Sequence, residues 1–330
     1  QGDPDCQAFH HDLYRAVGAV RGGGAVHTGR LWVMEQQPGP VNWAPHNPAP
    51  LPGMPRLWAW EAFAHGAETV CFFRWRQVPF AQEQMHAGLL RPDSEPAPAL
   101  AEAVQIATEI ADMPGAETAS APVALVFDYA SSWAWKTQPQ GADFEYFHLA
   151  LSTYRALRRN GLSVDVVSSD IADLSAYAMV VAPGLATIPA PLLDALGRYE
   201  GIALVGPRSN SKTFDMAIPV PLPPALPGLD TTVSLVESLP PGVEVPLSGG
   251  ALIRWVERLE GSAEVVLRCD DGHPALVRSG GLHYLAGWPN DATFAQIVGD
   301  LAGAAGLEAF DMPPGVRRRD TGSHRFWFNY

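Results

Sequence analysis

The chain has 330 residues, of which 47% are hydrophobic, and a formal net charge of −13. A chain of this size can bury a substantial core and divide into two domains. The acidic balance argues against nucleic acid and against a membrane surface as partners, because both require a basic face. No apolar stretch approaches the roughly 18 residues that a membrane-spanning helix needs.

The three cysteines lie far apart, at Cys6, Cys71 and Cys269. Their odd number and wide spacing exclude a disulfide framework and a close-spaced zinc knuckle within this segment. Free cysteines favour a reducing compartment, so we expect a cytoplasmic protein. The chain starts at Gln1 and stops at Tyr330 directly after an aromatic, strand-like run. We therefore expect a fragment of a longer polypeptide.

The first predicted elements are a helix and a buried strand. Apolar residues spaced by three and four predict an amphipathic helix over residues 5–18. The apolar run 31–34 ends in Glu35 and is followed by a Pro-Gly-Pro turn, which is typical of the end of a buried parallel strand. Enzymes with a (β/α)₈ barrel carry their catalytic groups at this end of the strands. From the strand pattern alone, Glu35 is either such a group or a structural acid paired with an arginine.

Two further helices and a second strand follow in chain order. Residues 54–65 predict a helix, and residues 68–76 predict a largely apolar strand. A strand, a helix and a strand at this spacing form a βαβ unit with parallel strands. Residues 98–112 predict another amphipathic helix. The region 1–114 thus matches the last strands and helices of a (β/α)₈ barrel, well short of the roughly 250 residues of a complete one.

A second α/β pattern begins after a predicted linker at 115–122. Its predicted elements are a strand at 123–127, a helix at 143–159, strands near 162–167 and 177–182, a helix starting at Pro189 and a strand at 202–205. This order is typical of a doubly wound domain of the flavodoxin-like or class I amidotransferase-like kind. We expect the Pro-rich segment 216–250 to be irregular. Later predicted elements are strands at 265–269, 274–278 and 282–286, a helix at 292–304 and a small β region at 307–330.

The second domain lacks the residues that an enzyme of its class needs. An amidotransferase requires a nucleophilic cysteine at a strand-to-helix elbow, and no cysteine occurs between residues 123 and 210. No glycine-rich phosphate loop follows the first strand either. We interpret this domain as structural or associative, and the alternative is a ligand bound at the exposed ends of its sheet.

Five segments of the first region together resemble glycoside hydrolase family 42, the β-galactosidases. They are VMEQQPGPVNWAP at 33–45, GMPRLW at 53–58, AHGA at 64–67, FFRWR at 72–76 and EQMHAGLL at 83–90. The resemblance covers nearly all of residues 5–112. It implies that 1–114 is the C-terminal part of the catalytic barrel, that 120–306 is a flavodoxin-like trimerisation domain, and that 307–330 starts a small C-terminal β domain.

The resemblance also implies the roles of five residues. Glu35 corresponds to the catalytic nucleophile, and Trp43, Phe73, Glu83 and His86 correspond to residues that bind the sugar. It implies a retaining reaction, which uses two carboxyl groups about 5–5.5 Å apart. Because the nucleophile must be ionised, we also expect Arg74 or Arg76 to lie near Glu35 and favour that form.

The second carboxyl group is missing from this chain. In the family the acid/base glutamate belongs to an Asn-Glu pair on an earlier strand, and no Asn-Glu dipeptide occurs here. The zinc-binding cysteines of many members are also upstream, so we expect neither metal nor cofactor in this segment. We expect the parent protein to be a homotrimeric β-galactosidase that acts on terminal β-D-galactosides such as lactose-like substrates, and the isolated chain to be inactive or nearly so.

Two alternatives remain open at this point. The first alternative to a β-galactosidase is a catalytically incomplete scaffold that serves in assembly. The second is part of a retaining glycosidase for a related sugar such as an α-L-arabinopyranoside.

Overall fold

The computed structural model describes residues 3–18, 30–113 and 121–330. These residues form two compact units. The first unit contains residues 3–18, 30–113 and 315–330, and the second contains residues 121–314. Most of the predicted linker, residues 115–120, lies outside the described residues.

The first unit contains the predicted βαβ arrangement. Its elements are α1 (Pro4–Val17), β1 (Leu31–Gln36), α2 (Met54–Ala64), β2 (Ala67–Phe72) and α3 (Pro98–Asp112). Strands β1 and β2 pair in parallel, which confirms the prediction from their spacing. Leu31, Ala62 and Ala67 form an apolar cluster between the strands and α2. Burial of this cluster holds the crossover helix against one face of the strand pair.

The position directly before helix α2 has a backbone conformation that only glycine adopts without strain. Gly53 has a φ of 89°, in the left-handed region. The carboxylate of Glu102 on α3 accepts the backbone N–H groups of Gly53 and Arg56, both at 2.9 Å. The start of α2 is therefore capped by another helix rather than by its own preceding residue.

A C-terminal hairpin completes the first unit. Strands β14 (Val316–Asp320) and β15 (Arg325–Asn329) pair antiparallel. Arg317 binds Asp5 of α1 through two hydrogen bonds of 2.7 Å. The β region predicted at the C-terminus is thus present. That it begins a separate C-terminal β domain stays a prediction.

A buried ion cluster lies beneath this hairpin. Asp12 of α1 is fully buried, with His65 Nδ1 at 2.9 Å, Arg15 at 3.4 Å and Arg319 at 3.9 Å. Burial alone raises the pKa of Asp12, but the charges of His65, Arg319 and Arg15 and the His65 hydrogen bond outweigh it and hold that pKa well below its ordinary value. The carboxylate stays ionised and joins α1, α2 and the hairpin.

The second unit is built on a seven-stranded sheet. Its strands are β3 (Val123–Phe127), β4 (Val164–Ser168), β5 (Met179–Ala182), β6 (Ile202–Val205), β10 (Glu264–Arg268), β11 (Pro274–Ser279) and β12 (Leu282–Leu285). They lie in the order β10-β11-β12-β6-β5-β3-β4. The five strands from β4 to β12 are parallel, and their order is that of flavodoxin-like folds, as the sequence predicts. Strands β11 and β10 add an antiparallel edge.

Four helices accompany this sheet: α4 (Tyr129–Thr137), α5 (Tyr146–Arg159), α6 (Ala190–Arg198) and α7 (Asp291–Ala304). Helix α4 is not among the predicted elements. Its signal is Asp128, whose carboxylate accepts the backbone N–H of Ser131 at 2.7 Å and caps the helix.

The prediction that residues 216–250 are irregular is wrong for their second half. Strands β7 (Thr231–Ser238) and β8 (Glu244–Leu247) pair with β9 (Gly250–Gly261), and β13 (Gly287–Pro289) pairs with the other edge of β9. Together they form a second sheet of four strands. The alternation in β7 is interrupted by a register shift between Val233 and Leu235, which hides the strand period in the sequence.

Candidate active site

Glu35 lies near the C-terminal end of β1, and its side chain is exposed. The next residue, Gln36, is buried, and its carbonyl oxygen accepts the backbone N–H of Phe73 at 3.1 Å. This hydrogen bond joins the ends of the two parallel strands. The carboxylate and the Phe73 ring therefore come from neighbouring strand ends, where barrel enzymes carry their catalytic groups.

The Pro-Gly-Pro turn brings the loop after β1 against the segment that carries His86. The backbone N–H of Ala87 donates to the carbonyl oxygen of Pro40 at 2.9 Å. A Cβ atom on Gly39 would come within 2.6 Å of the Ala87 methyl group. Only glycine permits this approach, so the turn sequence itself determines the distance between the two loops.

Glu83 and His86 belong to one turn. The backbone N–H of His86 donates to the carbonyl oxygen of Glu83 at 3.1 Å. Two residues after Ala87, the backbone N–H of Leu89 donates to the carbonyl oxygen of Arg74 at 2.8 Å. The turn is thus anchored to the segment that directly follows β2 and also carries Phe73.

His86 is buried beside Phe73 and within the electrostatic influence of Glu35. The two rings meet edge to face with their centroids 5.1 Å apart. Burial lowers the pKa of His86, the charge of Arg74 lowers it further, and the charge of Glu35 opposes both. Nδ1 of His86 has no hydrogen-bond partner among the described residues. A neutral imidazole with an open nitrogen can donate to or accept from a ligand hydroxyl.

The two arginines at the exit of β2 have partners other than Glu35. The guanidinium of Arg74 forms an ion pair with Glu83 and lies 4.4 Å above the centre of the Phe73 ring. Arg76 donates to the hydroxyl oxygen of Ser94 at 3.1 Å. The spacing of residues 74 and 83 follows no helix or strand period, so the sequence offers no signal for this pair.

Trp43 lies on the loop after β1 and is 75% exposed. The neighbouring side chain, Asn42, donates to the carbonyl oxygen of Gln82 at 3.0 Å, which ties this loop to the residue before Glu83. Of the five residues chosen from the sequence, Glu35, Phe73, Glu83 and His86 are thus linked by direct contacts or charge. Trp43 shares their loops and presents its indole to solvent.

The carboxyl ends of the parallel strands in the second unit are filled by the protein's own side chains. Arg208 follows β6 and is only 4% exposed, with its guanidinium 4.8 Å from the centre of the Trp135 ring. Its backbone N–H donates to Glu257 at 2.7 Å, and Trp255 and Tyr284 donate to the same carboxylate at 3.1 and 2.6 Å. A ligand in this position would have to displace the three hydrogen bonds that the Glu257 carboxylate accepts.

Burial dominates the ionisation of this network. It raises the pKa of Glu257, and the hydrogen bonds from Tyr284, Trp255 and Arg208 oppose that shift only in part. Burial also lowers the pKa of Arg208 to about 10, against the opposing charge of Glu257. This arrangement favours the structural interpretation of the domain over a ligand site at its sheet ends.

Within the described ranges, no group of three or more His, Cys, Asp or Glu side chains is placed to hold a metal ion. Among the same residues, no helix combines the length and the apolar character needed to cross a membrane.

Two family models match the chain. The glycoside hydrolase family 42 β-galactosidase model matches residues 1–113, and the β-galactosidase trimerisation domain model matches residues 121–308. The chain belongs to glycoside hydrolase family 42. This confirms the resemblance and the fold class, namely the end of a (β/α)₈ barrel followed by a flavodoxin-like α/β domain.

Relatives of this family 42 chain extend well beyond it. It is 51% identical to a β-galactosidase of Thermus thermophilus, covering 100% of the chain and 50% of the relative. It is 38% identical to the β-galactosidase Bga of Halorubrum lacusprofundi, covering 96% of the chain and 48% of the relative. The crystal structure of the Marinomonas ef1 β-galactosidase aligns with a TM-score of 0.91 at 42% identity, over 99% of this chain and 51% of that one. The chain spans about half the length of the relatives it matches.

Proposed function

We propose that this chain carries the nucleophile half of a retaining β-galactosidase site. The parent protein, the longer polypeptide from which we propose the chain derives, hydrolyses terminal β-D-galactosides. The observation that carries the proposal is the exposed carboxylate of Glu35 at the end of β1, with its charge acting on His86 and with Phe73 at the neighbouring strand end. Membership of family 42 supports the same reading.

In this proposal Glu35 attacks the anomeric carbon and forms a glycosyl ester. The bond to the leaving oxygen breaks as a second carboxylic acid, supplied by an upstream segment, protonates that oxygen. The same group then removes a proton from water, which hydrolyses the ester with overall retention. Trp43 and Phe73 offer apolar faces to the ring. Glu83 and His86 bind hydroxyl groups, which excludes sugars that lack them.

The isolated chain lacks the second carboxyl group and is therefore inactive or nearly inactive in this proposal. Hydrolysis of nitrophenyl β-galactoside by the parent protein tests it. We expect Glu35→Gln to lower kcat roughly 10³-fold or more, with the melting temperature unchanged. Near-normal turnover by this variant would refute the role of Glu35 and favour the alternative of a scaffold without catalytic function.

The identity of the sugar that the parent protein hydrolyses is a further part of the proposal. An α-L-arabinopyranoside has the ring and hydroxyl pattern of a β-D-galactoside without the exocyclic CH₂OH group. A panel of both nitrophenyl glycosides distinguishes them, and a higher kcat/KM for the arabinoside would identify the alternative substrate. We also propose a cytoplasmic location, which the free thiols of all three cysteines support.

We propose in addition that the second unit mediates assembly into a homotrimer. Besides the trimerisation-domain match, an unusual apolar loop supports this: Phe214 is 97% exposed, Val220 90% and Ile218 63%. Asp215 is the only charged residue from 213 to 229, and interface cores are depleted of charge in the same way. We expect a second copy of the chain to cover this loop.

The loop is held in place at both ends. The backbone N–H of Asn210 donates to the carbonyl of Leu185 at 2.8 Å, and its side-chain amide donates to the carbonyl of Pro224 at 3.0 Å. The mass of the parent protein that carries both Phe214→Ser and Val220→Ser, measured by light scattering, tests the proposal. We expect it to dissociate to monomers, whereas the control Val243→Ser, on a residue that is 46% exposed elsewhere in the unit, stays assembled. An unchanged mass of the double variant would contradict the proposed surface.

A further inference from the structure

We propose that Arg74 is a positioning residue of the galactoside site, whose guanidinium holds the Glu83 carboxylate and the Phe73 ring in a fixed arrangement. This inference rests on the proposed function. It assigns Arg74 a place beside two of the proposed sugar contacts rather than beside the nucleophile.

The first step of the argument is the ion pair itself. Arg74 Nη2 binds Oε2 of Glu83, and the arginine side chain is 17% exposed against 48% for the glutamate. The arginine is thus the anchored partner and the glutamate the accessible one. The backbone of Arg74 is also fixed, because its carbonyl oxygen accepts the N–H of Leu89 at 2.8 Å.

The second step is the contact with the aromatic ring. The guanidinium carbon lies 4.4 Å from the centre of the Phe73 ring, within the range of a cation–π interaction. That ring in turn meets His86 edge to face at 5.1 Å. One guanidinium therefore touches two of the four proposed sugar contacts, Phe73 and Glu83, and reaches His86 through the Phe73 ring.

The third step excludes an ordinary surface ion pair. Such a pair is exemplified by Arg91 and Asp93, whose side chains are 54% and 56% exposed, and pairs of this kind contribute little. Arg74 differs because most of its side chain is covered and its flat face packs on a ring. A planar guanidinium fixes the direction of a carboxylate, whereas an ammonium group supplies only charge.

A carboxylate on a turn samples several rotamers unless something restrains it. Arg74 binds one oxygen of the Glu83 carboxylate and restrains the side chain. The other oxygen is then held in position to accept hydrogen bonds from hydroxyl groups of a ligand. Pre-ordering of this kind strengthens binding because less conformational freedom is lost when the ligand arrives.

The test compares Arg74→Gln, Arg74→Lys and the control Arg76→Gln. The control removes the same charge from the same strand exit, and Arg76 binds Ser94 rather than a proposed sugar contact. In the parent protein we expect both Arg74 variants to weaken inhibition by free galactose about tenfold. The control variant should match the wild type. Galactose inhibition as tight in Arg74→Lys as in the wild type would overturn the positioning role.

A second readout uses NMR titration of His86 in the parent protein. Arg74→Gln removes a positive charge next to the imidazole, so the pKa of His86 should rise, while Arg74→Lys and Arg76→Gln should leave it near the wild-type value. The titration thus tests the placement of Arg74 beside the imidazole, and weaker galactose inhibition in Arg74→Lys at an unchanged melting temperature separates positioning from a merely structural role. An unchanged His86 titration in Arg74→Gln would contradict the geometry. If the wild-type parent does not hydrolyse nitrophenyl β-galactoside, the proposed function fails, and the titration alone decides the placement of Arg74.

Discussion

Each of the two units brings an arginine, aromatic rings and a glutamate together, with opposite results. In the first unit Arg74 lies over Phe73 and binds Glu83, which remains 48% exposed, and Nδ1 of the adjacent His86 has no partner among the described residues. In the second unit Arg208 lies against Trp135, and Glu257 is fully buried with three donors on its carboxylate. The same side-chain types thus make an open site in one unit and a closed structural network in the other.

The different exposure of Glu83 and Glu257 indicates which part of the chain can bind a ligand. An accessible carboxylate beside a neutral imidazole leaves hydrogen-bonding capacity for a ligand, whereas a carboxylate whose donors are all internal has none to offer. This is why we propose sugar binding for the first unit and a structural role for the ends of the sheet in the second.

The largest expected effect is on stability in the closed network. Glu257→Ala would leave the buried donors of Trp255, Tyr284 and Arg208 without their acceptor. We expect the second unit to lose about 3–5 kcal/mol of unfolding free energy. Urea denaturation followed by tryptophan fluorescence measures it, with Glu244→Ala, an exposed strand residue of the same unit, as the control. A loss below about 1 kcal/mol would show that the network is not structural.

The open site should respond in the opposite way. Because Glu83 is 48% exposed and Arg74 keeps its packing on the Phe73 ring when the carboxylate is removed, we expect Glu83→Ala to lower the unfolding free energy by only about 1 kcal/mol, well below the loss for Glu257→Ala. In the proposed function its loss removes a hydroxyl acceptor, so kcat/KM of the parent protein for nitrophenyl β-galactoside should fall about 10²-fold. Gln82→Ala serves as the neighbouring control, since only its backbone carbonyl is used. Strong destabilisation without loss of activity would reverse our assignment of the two regions.

The smallest expected effect is a pH dependence of opposite sign in the two units. The pKa of His86 is lowered in the folded state, so the unfolded chain binds its proton more readily, and the first unit loses stability as pH falls through about 6.5. The pKa of Glu257 is raised in the folded state, so the second unit is penalised at high pH and is relieved as pH falls towards that raised value.

Hydrogen-exchange mass spectrometry between pH 8 and pH 5.5, corrected for intrinsic exchange rates, measures both trends. His86→Gln should flatten the pH dependence in the first unit alone, and Glu257→Gln should flatten it in the second alone. Parallel trends in the two units would show that other groups control the acid response.

Much of the fold follows from local patterns. The runs 31–34 and 123–127 are short, apolar and bounded by turn residues, and both form strands with parallel partners. Helix α4 is signalled by the cap at Asp128, although its apolar residues alone are too few to indicate it. Strand β7 was missed because a register shift between Val233 and Leu235 interrupts its alternation, whereas the hairpin of β8 and β9 does have a local signal in its two-residue Ser248-Gly249 turn.

The candidate site also has features that the sequence predicts and features that it does not. The motif carries the residue types at positions 35, 43, 73, 83 and 86, and the glycine at position 39 is explained by its approach to Ala87. The pairing of Arg74 with Glu83 depends on how the turn at 83–86 folds back on the exit of β2. No periodicity in the sequence encodes that return, so only coordinates reveal it.

The central claim is that Glu35 forms a covalent bond to a galactosyl carbon. A 2-deoxy-2-fluoro-β-galactosyl fluoride tests it most directly, because fluoride departs without protonation and the fluorine at C2 slows hydrolysis of the ester. After incubation of the parent protein, mass spectrometry should find one fluorogalactosyl group on the peptide that contains Glu35, and none in Glu35→Gln. Labelling of a different residue, or equal labelling of the variant, would contradict the account.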